Sequence, residues 1–226
     1  MNVKIVSCKI FEPYLNKLLK EITLDYQYDI EYFEIDQHNY PKKFHQTLQA
    51  RINEISDVDL IILLYGICGN VTTNLKAKHC SLAIPKVHDC ASILLGSKKK
   101  FLEVFDGRLS KAWSCVAHDI NIHGEHIYFE GSSYEKLVEQ YGEDNAAYLY
   151  QLLEHKNEQK LYISLGLDED QKRIKEFQED IEIVNGNYDY LKAILKLDFT
   201  DVLVLKPNES VLPVYDQIDV ITRKKH

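Results

Sequence analysis

Two rhythms of apolar and polar positions alternate along the chain. NVKIVSC (2–8) is a short, β-branched apolar run that predicts a strand. YLNKLLKEI (14–22) follows with the i, i+3, i+4 spacing of a helix, and YDIEYFEI (28–35) returns to a period of two. PKKFHQTLQARINEI (41–55) is amphipathic at helical spacing, and Pro41 suits a first turn, where its missing N–H leaves no bond unmade. DLIILLYG (59–66) is apolar on both faces, as a central parallel strand requires. The order is β-α-β-α-β.

The same order returns near the other end. QKLYISLG (159–166) predicts a strand, DEDQKRIKEFQED (168–180) a helix with acidic residues at its positive end, and DIEIVNG (180–186) a strand running into a turn. YDYLKAILKL (188–197) predicts a short helix, and TDVLVLKP (200–207) a strand that closes the unit. The halves echo each other, YDIEYFEID against EDIEIVNG and SDVDLIILLYG against FTDVLVLKP, as duplicated units would. One continuous α/β sheet is the alternative arrangement.

Between the halves, SLAIPK (81–86) predicts a further strand, and CASILLGSKKKFLEVF (90–105) a helix broken at Gly96. Residues 133–159 have strong helical spacing and would bridge the halves, whereas 106–131 has no clear period and predicts an irregular or hairpin segment. The expected fold class is α/β: two Rossmann-like βαβαβ lobes with parallel sheets and a crevice at the strand C-terminal ends. The expected domains are 1–131, a first lobe carrying the cysteine site, and 132–226, bridging helices and a second lobe.

Composition narrows the function classes. With 226 residues the chain can bury a full core, and 45% apolar with 27% charged residues is ordinary for a globular protein. A formal net charge of −8 argues against partners that need a basic surface, nucleic acid and anionic membrane alike. No apolar run reaches the roughly 18–20 residues that span a bilayer. The N-terminal MNVKIVSCKIFEPYLNK turns polar too soon for a signal peptide, so a cytoplasmic location is expected. In that compartment five cysteines, an odd number without dense pairing, do not read as a disulfide framework.

Three of those thiols are expected on one edge. In open α/β sheets ligands bind beyond the carboxyl ends of the parallel strands. Cys8 ends the first strand, Cys68 follows Gly66 at the end of the most apolar strand, and Cys90 follows LAIPKVHD. Glycines around Cys68 in YGICGN permit close main-chain approach, and Asp89 is placed to cap a helix starting at Cys90. A helix N-terminus lowers the pKa of a nearby thiol. Three thiolates with a vacant fourth position suit an iron–sulfur cluster, or zinc with an open position, and His88 is a possible nitrogen ligand. The competing reading is that these are small buried hydrophobes, as free cysteines often are. Cys80, at an expected helix end, is read as structural.

Other constellations are weaker. HDINIHGEH (118–126) gathers His118, Asp119, His123, Glu125 and His126 near Cys115, but lacks the HExxH order and reads more simply as a polar loop. A cysteine nucleophile at Cys68 or Cys90, activated by His88 or His118, is a further option. There is no GxGxxG, no P-loop lysine motif and no GxSxG elbow.

LLYGICGN followed by LKAKHCSLAIPKVHDCASILLGS resembles the signature of the prokaryotic family called domain of unknown function 1638, and YGEDNAAYLYQLLE, YISLG and DVLVLKPNES fit the same layout. The matching positions are Cys8, Tyr65, Gly66, Cys68, Gly69, Asn70, His88, Asp89, Cys90, Leu95, Gly96 and Ser97. The chain departs from the pattern at Lys9-Ile10 and at FDGRLSKAWSCVAHD. The resemblance implies a cytoplasmic bacterial or archaeal protein associated with corrinoid-dependent methyl transfer. The function expected is thus a metal-binding protein holding an iron–sulfur cluster (alternatively zinc or a corrinoid) through Cys8, Cys68 and Cys90. Asn70, His88 and Asp89 would line the place of a small molecule or cofactor in an inter-lobe crevice, for redox or group-transfer chemistry tied to a corrinoid-dependent methyltransferase system. A non-catalytic corrinoid- or metal-binding accessory module and a metal-free cysteine-dependent hydrolase or transferase are the alternatives.

Overall fold

The computed structural model describes residues 1–35, 37, 40–68, 70–105, 112–121, 160–177 and 181–211, with 138, 142, 143, 145 and 147 as isolated positions between. It is a mixed α/β fold with two largely parallel sheets. The strands are β1 (Asn2–Cys8), β2 (Gln27–Phe33), β3 (Leu60–Leu64), β4 (Ser81–Pro85), β5 (Ala112–Ser114), β6 (Lys160–Ser164), β7 (Ile181–Asn185) and β8 (Val202–Leu205). The helices are α1 (Glu12–Glu21), α2 (Pro41–Glu54), α3 (Cys90–Leu94), α4 (Lys98–Phe105), α5 (Val116–Asn121), α6 (Asp168–Glu176) and α7 (Asp189–Leu195). No helix among the described residues is long and apolar enough to cross a membrane.

The first sheet has the order β2-β1-β3-β4-β8, with β2, β1, β3 and β4 parallel. Every side chain of β3, LIILL, is buried, which is why its sequence has no polar alternation. β2 sits at the edge, and its first three residues are exposed. Amphipathic helices cover the sheet: α1 buries Tyr14, Leu15 and Leu18, and α2 buries Phe44, Leu48 and Ile52 at four-residue steps. Each large side chain so buried contributes about 1.5–3 kcal/mol. Pro41 occupies the first turn of α2.

The second sheet has the order β5-β6-β7, all parallel. Its centre is pinned by buried Asp170 of α6, which accepts from the Tyr162 hydroxyl and from the Leu165 and Leu167 N–H groups, each at 3.0 Å. A carboxylate that takes three donors satisfies its lone pairs without water.

Two expectations need correcting. TDVLVLKP does not close a second βαβαβ lobe: β8 pairs antiparallel with β4 of the first sheet, Leu82 opposite Leu205 and Pro85 opposite Val202. Nor is all of 106–131 irregular, since β5 and α5 lie within it, and β5 supplies the third strand of the second sheet. The chain divides into two compact units, Met1–Lys98 with Asn187–His226, and Lys99–Gly186. The bridge expected over 133–159 falls almost entirely outside the described residues.

The break at Gly96 is real: it has φ +82° and separates α3 from α4. A Cβ there would lie 1.8 Å from the Asn187 side-chain oxygen, so glycine also admits the returning chain. Asn187 N–H donates to the Leu94 carbonyl at 3.0 Å, and Lys98 pairs with Asp201 at 2.9 Å.

Candidate thiol site

β1 and β3 run side by side in register, Val6 opposite Leu63 and Ser7 opposite Leu64, so Cys8 leaves the sheet beside Tyr65. Beyond Tyr65 the chain turns under strict steric control. A Cβ on Gly66 would lie 2.5 Å from Asp89 Cα and 2.6 Å from Asp89 N. Glycine is therefore required by close approach, and two hydrogen bonds exploit it: Ile67 N–H to the Val87 carbonyl at 3.0 Å and Cys68 N–H to the His88 carbonyl at 3.1 Å. Cys68 (φ 43°) and Asn70 (φ 70°) both adopt left-handed backbone, unusual for residues with a Cβ. Such strain persists only where surroundings impose it. Here the surroundings include the bonds to 87–88, Val71 N–H to the Ile67 carbonyl (3.0 Å), and a 2.8 Å contact of His45 Nδ1 in α2 with the Val71 carbonyl.

These clamps set Cys68 beside Cys90, whose thiol has those of Cys68 and Cys8 as neighbours. Those two thiols, with Cys68 the larger influence, and burial after them push the Cys90 thiol well above the ordinary cysteine range. Cys8 and Cys90 are buried, and Cys68 is half-buried, so Cys68 is the one of the three that solvent reaches. None of the five cysteines is joined in a disulfide.

Cys90 opens α3, a helix of five residues. Asp89 caps it as expected, accepting from Ser92 N–H at 3.1 Å and from the Ser92 hydroxyl at 3.2 Å, while its other oxygen meets His88 Nδ1 at 3.2 Å. The expected lowering of the Cys90 pKa by this helix is not found. A helix so short offers a weak dipole, and burial against two thiols acts in the opposite direction.

The metal expectation is overturned. Among the described residues, no group of three or more His, Cys, Asp or Glu side chains is placed to hold a metal ion. Cys8, Cys68 and Cys90 are neighbours without forming a ligand shell, so the iron–sulfur cluster, zinc and corrinoid assignments and the metal-binding role are withdrawn. The physical reason is geometric: metal ligands must converge on one point, and these side chains do not. His88 and Asp89 are engaged with each other, and Asp89 also with Ser92, which makes Asp89 a structural cap.

Of the other residues singled out, Cys80 is buried, its thiol pushed up by burial, and packs as a core residue. It follows turns, not the helix expected before it. Cys115 and His118 are buried together, with Cys115 N–H donating to His118 Nδ1 at 3.2 Å and the sulfur 3.7 Å from the same nitrogen. This is a cap at the start of α5. His123, Glu125 and His126 lie outside the described residues.

Sequence reasoning missed the chemical interest of Tyr65. Its side chain is 3% exposed, its ring packs edge-on to Phe44 at 5.5 Å, and its hydroxyl has no hydrogen-bond partner among the described residues. Burial, then the Cys8, Cys90 and Cys68 thiols and finally Glu31, raise its pKa well above the phenol range. The signal was its position after an all-apolar strand, where a tyrosine hydroxyl needs a partner.

The model of the family described as "Protein of unknown function (DUF1638)" matches residues 32–195, and the chain belongs to that family. No curated protein and no solved structure matches it.

Proposed function

We propose that this family member is a thiol-redox protein in which Cys68 is the reacting thiol and Cys90 its partner. The observation that carries the reading is the placing of a buried thiol, Cys90, next to Cys68, the member of the group that solvent reaches. An accessible thiol with a second beside it is set for disulfide exchange. Cys68 sulfur attacks an incoming low-molecular-weight disulfide and expels one thiol; Cys90 sulfur then attacks Cys68, expels the second thiol, and the two protons leave with the departing thiols. The external disulfide is reduced and the protein dithiol oxidised, and the reverse sequence reduces a substrate.

The fold supports the placement. The parallel strand order 2-1-3-4 follows a doubly wound pattern in which the topological switch point lies between β1 and β3. Cys8 ends β1 and Cys68 follows β3, so the thiols flank the position where doubly wound sheets receive small molecules. Asn70 and His88 stand at the same edge and would border an incoming group.

Oxidising the reduced protein with a small aromatic disulfide, followed by alkylation and peptide mass spectrometry, tests this. The expected product has lost two hydrogen atoms and links the peptides carrying Cys68 and Cys90; Cys68→Ser abolishes the link and the fastest alkylation. Recovery of all three thiols reduced, or of equal alkylation rates at Cys8, Cys68 and Cys90, overturns the assignment.

A further inference from the structure

The Tyr65 hydroxyl is a buried donor that no acceptor meets among the described residues, and it stands among the three thiols. An unmet buried hydroxyl costs about 1–3 kcal/mol, and Phe would keep the same ring packing against Phe44 without that cost. We propose that Tyr65 donates a hydrogen bond to an oxygen atom transferred onto Cys68, so that the oxidant the site takes is a hydroperoxide. The proposal rests on the thiol-redox reading above and names its substrate class.

The chemistry selects oxygen. Sulfur groups are weak acceptors, so a thiol-only reaction gives a phenol at this position no strong partner. The sulfenic acid formed from a hydroperoxide places a strong acceptor on the very sulfur concerned. Cys68 sulfur attacks the outer peroxide oxygen; the O–O bond breaks, the thiol proton passes to the leaving oxygen, and an alcohol or water departs. Cys68 is oxidised by two electrons and the peroxide reduced. Cys90 sulfur then attacks the Cys68 sulfur, the S–O bond breaks, and the oxygen leaves as water carrying the Cys90 proton. The neighbouring thiol gives the second step its partner. A carbonyl substrate would also offer Tyr65 an oxygen, but an acylated Cys68 has no use for a second thiol beside it.

The test compares two oxidants on the full chain. Cys68–Cys90 disulfide formation is followed with hydrogen peroxide and with a small aromatic disulfide, in the native protein and in Tyr65→Phe. A positioned donor to a developing charge on oxygen is worth on the order of tenfold or more, so Tyr65→Phe should slow the peroxide reaction at least about tenfold more than the disulfide reaction. In Cys8→Ser/Cys90→Ser, a dimedone adduct should form on Cys68 after peroxide treatment, and less of it when Tyr65→Phe is added. Equal slowing of both oxidants, no slowing of either, or no adduct on Cys68 overturns the hydroperoxide assignment while leaving thiol exchange standing. Acylation of Cys68 by a thioester, with the Tyr65 dependence found there instead, overturns it in favour of a carbonyl substrate. Failure of both oxidants to link Cys68 with Cys90 removes the underlying reading itself.

Discussion

At the scale of single residues the site is governed by one missing side chain. Gly66 has Asp89 and His88 backbone atoms within 3 Å of where a Cβ would stand, and backbone has no rotamer with which to yield. Gly66→Ala should therefore push the 66–68 turn from the 87–89 segment and weaken the Ile67 and Cys68 hydrogen bonds. An overpacking cost of about 1–3 kcal/mol follows, measurable by chemical denaturation. The functional loss should exceed the stability loss, because Cys68 moves away from Cys90: disulfide formation should fall even at temperatures where the variant is fully folded. An unchanged rate would show that the turn does not set the pair. The sequence displayed this glycine and the three thiols plainly, and strand-end logic placed Cys8, Cys68 and Cys90 at one edge. What it could not display was convergence. Whether cysteines at one edge close around a single point depends on their mutual orientation, which is not written in spacing.

At the scale of elements, the helices and strands near the site are tied by charge as well as by packing. Arg51 of α2 forks onto Glu31 of β2, Nε at 2.7 Å from one oxygen and Nη2 at 2.9 Å from the other, and Lys4 of β1 approaches the same carboxylate at 3.1 Å. The Arg51 guanidinium, and after it Lys4, hold the Glu31 carboxyl below the usual carboxylate range against the opposing effect of burial. A folded pKa below the unfolded value means that the contribution is complete above the ordinary carboxylate pKa and is lost as pH falls through the folded one. Glu31→Gln should thus cost about 1 kcal/mol near neutrality, limited by solvent screening of partly exposed partners. The gap between the two unfolding curves should close as pH is lowered past that window; a gap independent of pH would contradict the ion-pair account. Most of these elements were legible, β1, α2 and β3 nearly to the residue, because their apolar positions follow clean periods. β5 and α5 were not, being three and six residues long, too short to establish a period.

At the scale of the whole molecule, the chain's order and the order of its sheets part company. The sequence run 200–207 has the composition of a closing strand for either sheet, and local pattern cannot tell parallel addition to a second lobe from antiparallel pairing along β4. Pairing is set by the partner edge, which is far away in sequence. β8 takes that edge, and Lys86 N–H is bonded to the Asp201 carbonyl at 3.0 Å beside it. Farther along, Asn208 N–H reaches the Ala77 carbonyl at 2.7 Å, and Asn74 N–H the Val211 carbonyl at 2.9 Å. A chain stopped after Gly186 should therefore lose protection in the first unit, with the amides of β4 exchanging far faster and α3 loosened around Cys90. Had the second half been a self-contained lobe, the same truncation would leave β4 exchange untouched, so hydrogen-exchange mass spectrometry on peptides covering 81–94 decides between the two. The return of β8 also has a meaning for biosynthesis. Until residue 205 has cleared the ribosome, the nascent first unit presents β4 with an open hydrogen-bonding edge and an unbraced Cys90 helix.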